Sequence, residues 1–313
     1  MKALVTGGAG FIGSHLSERL LAEGASVTAL DCFTDYYARA IKERNLQGLV
    51  GRPGYRFVEG AIGNADLDAL LDGVTHVFHL AAQAGVRKSW GRDFRVYTEL
   101  NIDATQILLE ACVGRPLERL VYASSSSVYG DEVALPMHEE ALPRPVSPYG
   151  VSKLAAEQLC HLYFVNHGLP AVSLRYFTVY GPRQRPDMGF HRFFSAILEG
   201  RALTQYGDGE QTRDFTFVAD AVAATAAAAV RGVPGRVYNI GGGSRVSLRE
   251  VFEMLGRVSG RPVAIERLPD QKGDMRDTYA DTTRARADLD FRPSVTLEDG
   301  LRAMYQWMEA TRS

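Results

Sequence analysis

At 313 residues the chain is too long for one small core and too short for three ordinary domains, so one large α/β unit with a smaller companion is expected. A formal net charge of -2 and a pI near 6.4 offer no basic face for nucleic acid and no charged membrane surface. Cys32, Cys112 and Cys160 have no metal-type spacing, and the longest Ala/Val run (221–230) is far short of the ~20 residues of a membrane span. Buried thiols, no metal and a cytoplasmic enzyme are the expectations, since the chain opens directly on a strand-like run.

Apolar runs at 3–6, 26–30, 55–59, 76–80, 119–123 and 171–176 predict strands, and helix-period segments such as 11–23, 101–112 and 149–167 fall between most of them. Strands that alternate with helices imply a parallel sheet with right-handed crossovers, and unbroken apolar strands imply that both faces are covered. The first strand runs into Gly7-Gly8-Ala9-Gly10-Phe11-Ile12-Gly13, which opens the first helix. Glycine allows a tight turn and close backbone approach to a pyrophosphate, and the helix N-terminus supplies free N–H groups. Asp31 ends the second strand, where a carboxylate accepts from both hydroxyls of an adenosine ribose and repels a 2′-phosphate. Together these features favour NAD over NADP. The small residues of His79-Leu80-Ala81-Ala82 suit either a flat cofactor crossing the sheet edge or plain strand packing.

Ser124, Ser125, Ser126 and Ser127 follow the fifth strand, as a polar turn or as hydroxyls for a substrate oxygen. Pro148 suits a helix start and puts Tyr149 in its first turn, with Lys153 four residues on and on the same face. A free phenol has a pKa near ~10, and a nearby ammonium and a cationic nicotinamide lower it, so Tyr149 can take a hydroxyl proton as hydride leaves the same carbon. Taken alone, a Tyr-x-x-x-Lys pair also fits a surface helix. Residues 181–189, rich in Gly, Pro, Arg and Asp, read as a functional loop or cap. A strand at 237–240 returns to the main sheet, Ser247 with Glu250 forms a capping box for a helix to about residue 259, and Thr296 caps a final amphipathic helix. A Rossmann-type doubly wound α/β fold is expected, with residues 1–176 and a returning segment at about 214–243 binding NAD. Residues 177–213 and 244–313 would form a smaller interleaved α+β unit for the substrate.

Seven ordered segments together resemble the nucleotide-sugar epimerase and dehydratase branch of the extended short-chain dehydrogenase/reductases. They are TGGAGFIG at 6–13, HLAAQAGVR at 79–87, SSSSVYG at 124–130, SPYGVSK at 147–153, RYFTVYGP at 175–182, RDFTFVAD at 213–220 and NIGGG at 239–243. The resemblance implies a catalytic set of Ser125, Tyr149 and Lys153. It implies NAD held by Gly7, Gly10, Phe11, Ile12, Gly13, Asp31, Ile62, Leu80, Ala81, Ala82, Asn101, Tyr149, Lys153 and Tyr176. It further implies a diphosphate clamp of Arg213 and Arg276, a UDP-sugar substrate, and a homodimer built on two helices per subunit. The family's acidic adenine contact is replaced by Ala61, beside Ile62, and the family's hexose-epimerase Asn by Thr178.

The run 177–188 and the segment ending at Arg87 look like those of UDP-glucuronate 4-epimerases. Dehydratases of the family resemble one another in an Asp-Glu pair where this chain has Ser126 and Ser127, and hydroxyls cannot protonate a leaving group near neutral pH. A 4-epimerisation is therefore expected, with a UDP-glucose or N-acetylhexosamine epimerase as the alternative and a decarboxylase or dehydratase further off. Arg185, with Thr178 and Ser126 or Ser127, would hold a uronate carboxylate so that its 4-keto form does not lose carbon dioxide.

Overall fold

The computed structural model describes residues 1–269 and 273–312. The chain begins β1 (Lys2–Thr6), α1 (Phe11–Ala22), β2 (Ser26–Asp31), α2 (Arg39–Leu46), β3 (Tyr55–Glu59), α3 (Leu67–Leu71) and β4 (His76–His79). It continues through α4 (Phe94–Tyr97), α5 (Ala104–Cys112), β5 (Arg119–Ser125), α6 (Pro148–His167), β6 (Ala171–Tyr176), β7 (Val179–Tyr180) and α7 (Gly189–Leu198). Then come β8 (Leu203–Tyr206), β9 (Thr212–Asp214), β10 (Thr216–Phe217), α8 (Val218–Arg231), β11 (Val237–Ile240) and β12 (Arg245–Ser247). The last elements are α9 (Leu248–Ser259), β13 (Ile265–Leu268), α10 (Thr283–Leu289) and α11 (Leu297–Ala310).

Seven strands form one parallel sheet in the order β11-β6-β5-β4-β1-β2-β3, the doubly wound arrangement expected from the alternating pattern. The two-residue period of the strands sorts their side chains into two layers. Ala3 and Val5 face one core with α1, α8 and α10, and Leu4 faces the other with α3, α5 and α6. Val121 and Leu120 of β5 divide in the same way. Parallel pairing aligns the strand ends, so Thr6, Asp31, His79, Ser125 and Tyr176 emerge along one edge.

A separate core joins Tyr180, Phe190, Phe194, Val251, Phe252, Leu255, Leu301 and Met304. The capping box of Ser247 and Glu250 forms as read, and Thr296 accepts from Asp299 N. Two features differ from the sequence reading. Residues 283–291, expected with the smaller unit, pack against the large sheet, because Ala285, Leu289 and Phe291 make an apolar stripe that fits beside α8 and β11. The helix expected at 101–112 begins at Phe94 and passes through a π-helical stretch, Thr98–Asp103, before α5. One extra residue per turn there turns Asn101 inward.

His79 locks the edge where β1, β4 and α5 meet. Its Nδ1 lies 2.8 Å from Thr6 Oγ1 and its Nε2 2.9 Å from Thr105 Oγ1. Burial, aided by the charge of Lys153, pulls its pKa down to about 3, so the folded chain holds it neutral. The unfolded chain protonates it near ~6.5. Between those values only the unfolded state takes up the proton, so stability present above pH ~6.5 is lost as pH falls toward 3. From about pH 7.5 to about pH 5, the urea-unfolding free energy of the wild type should fall about 2 kcal/mol more than that of His79→Gln. Equal falls in the two proteins would contradict this role.

Candidate active site

Two cavities share the aligned strand edge. The first, of about 470 Å³, runs over Gly7, Gly10, Phe11, Ile12 and Gly13, past Asp31 and Ile62, to Leu80, Ala81, Ala82, Tyr149, Lys153 and Tyr176. Thirteen of the fourteen residues expected to hold NAD therefore line one space. The glycines are there for room. Gly7 has φ +71, and a Cβ on it would meet Ala81 N at 2.8 Å, while one on Gly13 would meet Gly7 O at 2.2 Å. Gly10 caps α1 without a side-chain bond, so the first N–H groups of the helix stay open for an anion. Asp31 is fixed by Ala9 N on Oδ2 at 3.2 Å and Phe33 N on Oδ1 at 2.9 Å.

The fourteenth residue, Asn101, does not line this cavity, which corrects the expectation. It is 1% exposed and its amide is fully used. Oδ1 accepts from Gln83 N at 2.7 Å, and Nδ2 donates to Gln83 O at 3.0 Å and Ser152 Oγ at 2.9 Å. Asn101 thus holds the 80–83 segment in place from behind. Other lining residues escaped the sequence reading. Lys42 comes from α2, almost buried, with Nζ 3.8 Å from Asp31 Oδ1 and 3.2 Å from Thr34 O. Tyr36 and Tyr37 come from the loop before α2, and Asn64 is the polar side chain that the 60–64 segment brings to the wall where the sequence lacks the usual acid. No periodicity marks these positions, because a loop and a lone buried lysine carry no pattern.

The second cavity, of about 960 Å³, is lined by Arg87, Ser125, Ser126, Ser127, Thr178, Arg185 and Arg213 among others. Among the described residues its wall carries six basic side chains, Arg87, Lys88, Arg185, Arg192, Arg201 and Arg213, against the two acids Asp187 and Asp274. Arg87 stacks on the Tyr206 ring at 4.3 Å and pairs with Asp274 at 2.7 Å. Arg213 Nη1 donates to Thr212 O at 2.8 Å and Arg276 O at 2.9 Å. Arg276 itself is the second correction. Its backbone carbonyl helps to place Arg213, but its side chain is 61% exposed and pairs outside the cavity with Asp208 at 3.0 Å.

The two spaces meet at Tyr149 and Arg185, which line both. Ser147 caps α6 by accepting from Gly150 N at 3.1 Å, and Pro148 at the helix start fixes the first turn that carries Tyr149. Ser125 accepts from Ser127 N at 3.1 Å and hydrogen-bonds Tyr149. Burial raises the pKa of the Tyr149 phenol, and the Ser125 bond and the charge of Arg185 oppose that rise. The Lys153 ammonium lies 4.5 Å over the Tyr122 ring, and burial pulls its pKa down to about 7 while Cys160 and Glu157 push it back. The charge of Arg185 thus favours the ionised form of Tyr149, and Lys153 lines the same cavity.

Ser124 is committed elsewhere, donating to Glu157 Oε2 at 2.6 Å within a buried Glu157–Arg175 pair. Arg185 Nε and Nη2 each donate to Asp187 at 3.0 Å. Among the described residues no group of His, Cys, Asp and Glu is placed to hold a metal, and no helix is long and apolar enough to cross a membrane.

A glycine-lined groove suited to a dinucleotide meets a cationic chamber suited to an anionic substrate, with a buried tyrosine where they join. Residues 3–241 match the NAD dependent epimerase/dehydratase family, and the chain belongs to it. It is 44% identical over 305 residues to an uncharacterised UDP-glucose epimerase of Bacillus subtilis, covering 96% of each chain. It is 37% identical to the UDP-glucuronate 4-epimerase of Thermodesulfobacterium geofontis, covering 97% of this chain and 95% of that one. The crystal structure of UDP-glucuronic acid 4-epimerase from Bacillus cereus, in complex with UDP-glucuronic acid and NAD, superposes with a TM-score of 0.97 at 44% identity, covering 99% of this chain and 100% of that one.

Proposed function

We propose that this protein is an NAD-dependent UDP-glucuronate 4-epimerase, interconverting UDP-glucuronate and UDP-galacturonate. The observation that carries the reading is the junction of the two cavities, where Tyr149 and Arg185 line both. A proton acceptor and a forked cation at one place suit a sugar whose C4 hydroxyl and C5 carboxylate are neighbours. NAD, when bound along the first cavity, supplies the acceptor for hydride from C4 and returns it.

The chain's own residues supply the rest. Tyr149 takes the O4 proton with Ser125 as its hydrogen-bond partner, and later gives a proton back to O4 as hydride returns to the opposite face of C4. The basic wall, with Arg213, Arg87 and Arg192, anchors the diphosphate while the 4-keto sugar turns. Arg185, with Thr178 and the hydroxyls of Ser126 and Ser127, keeps the carboxylate in place. Serines at 126 and 127 leave no acid to expel a C6 hydroxyl, which sets the dehydratase reading aside. Pairing of two copies through α5 and α6 accounts for the exposure of Val151, Leu162 and Val165, which recur on one face of α6 at 45%, 51% and 63%.

Incubation with UDP-glucuronate tests the reading. The expected product is UDP-galacturonate, with no net reduced cofactor. Turnover of UDP-glucose or UDP-N-acetylglucosamine in its place would overturn the uronate assignment.

A further inference from the structure

We propose that Asp187 is a positioning residue that sets the Arg185 guanidinium for a substrate carboxylate, with Tyr36 tying the pair to the cofactor side of the cleft. The proposal rests on the uronate reading above. Asp187 takes one whole edge of the guanidinium, Nε to Oδ1 and Nη2 to Oδ2, both at 3.0 Å. That side-on fork fixes the plane of the group and leaves the Nη1 edge for another acceptor. Tyr36 donates to Asp187 Oδ2 at 3.2 Å. It reaches across from the loop between β2 and α2, and it lines both cavities. Asp187 therefore stands between a side chain of the cofactor groove and the cation of the sugar chamber.

The backbone under this cluster is already held. Arg183, at φ +65, donates from Nη2 to Glu18 Oε1 at 2.6 Å. His15 Nε2 donates to Pro182 O at 3.0 Å. Gln184 donates from Nε2 to Val179 O at 3.2 Å and accepts from His191 N at 3.0 Å. These bonds pin the 181–188 loop to α1 and to the start of α7. What remains free in Arg185 is its long side chain, and Asp187 removes that freedom before substrate arrives. An arginine ordered in advance loses less entropy on binding a carboxylate. Asp187 also offsets the charge of Arg185, so the grip on the sugar rests on geometry more than on net attraction. A substrate that must let go and turn between two hydride transfers needs a grip of that kind.

The test uses NAD-loaded protein and calorimetric titration with UDP-glucuronate and with UDP-glucose, together with product analysis. Asp187→Ala should weaken UDP-glucuronate about tenfold while changing UDP-glucose less than about twofold. It should also raise the fraction of decarboxylated UDP-pentose among the products. Asp187→Asn keeps one acceptor and should fall between wild type and Asp187→Ala. Tyr36→Phe should move in the same direction by less. If the wild type prefers UDP-glucuronate and Asp187→Ala keeps that preference, the role of Asp187 is overturned and the uronate reading stands. Equal weakening of both ligands would reduce Asp187 to a structural part and overturn the proposal as well. A wild type with no preference for UDP-glucuronate overturns the uronate reading and this proposal together.

Discussion

Tyr149→Phe should lower epimerase turnover by about 10²- to 10⁴-fold, the range for losing a positioned proton-transfer group. The change removes one oxygen from a side chain whose ring is held edge-on by Tyr97, with centroids 6.2 Å apart, so the packing survives. Bound NAD content and thermal stability should therefore match the wild type, measured by cofactor release on denaturation and by a melting curve. The size of the effect follows from the site. Burial raises the pKa of the phenol, and the Ser125 bond and the Arg185 charge favour its ionised form. Two neighbouring hydroxyls are committed elsewhere, since Ser124 donates to Glu157 and Tyr176 pairs with Thr225 at 2.6 Å. Retention of more than about a tenth of the activity would remove Tyr149 from the proton path.

Arg185→Ala should separate substrate classes. The kcat/KM for UDP-glucuronate is expected to fall about 100-fold, because a carboxylate loses its charge-assisted partner in a half-buried site. UDP-glucose, with no carboxylate, should lose less, about tenfold, through the Arg185 charge that Tyr149 no longer feels. The product mixture should shift as well. The 4-keto uronate is a β-keto acid, and without a fixed carboxylate its breaking bond can align with the carbonyl π system, so UDP-pentose should accumulate. Steady-state kinetics on both sugars and chromatography of the products read both effects. Equal losses on the two sugars would mean that Arg185 serves the shared diphosphate or the fold.

The elements that carry the fold were legible because their physics is local. A glycine run between an apolar strand and a helix, a Pro at the start of α6 and a capping box at α9 each announce themselves in a few residues. The cofactor groove was legible for the same reason, since strand ends and the phosphate loop fall on one edge once the sheet is parallel. Side-chain direction was harder to read. Asn101 stands at the expected place in the chain, yet the π-helical stretch turns it away from the cavity toward Gln83. Arg276 sits beside Arg213 in space, but it is its carbonyl that accepts from Arg213, while its exposed side chain pairs with Asp208. Asp187 lies in the 181–189 stretch read as a functional loop, but its own part left no signal, and neither did Tyr36 or Lys42, because segments that meet across a cleft are brought together by the tertiary fold alone.

The central claim is that hydride leaves C4 and returns to the same carbon through one bound cofactor while Tyr149 moves the proton. Incubation of UDP-glucuronate deuterated at C4 in ordinary water, followed by proton NMR of the product, tests it most directly. The account predicts UDP-galacturonate with the deuterium still at C4. Product carrying solvent hydrogen at C4 would contradict it, since that requires the C4 bond to break by proton loss and not by hydride transfer.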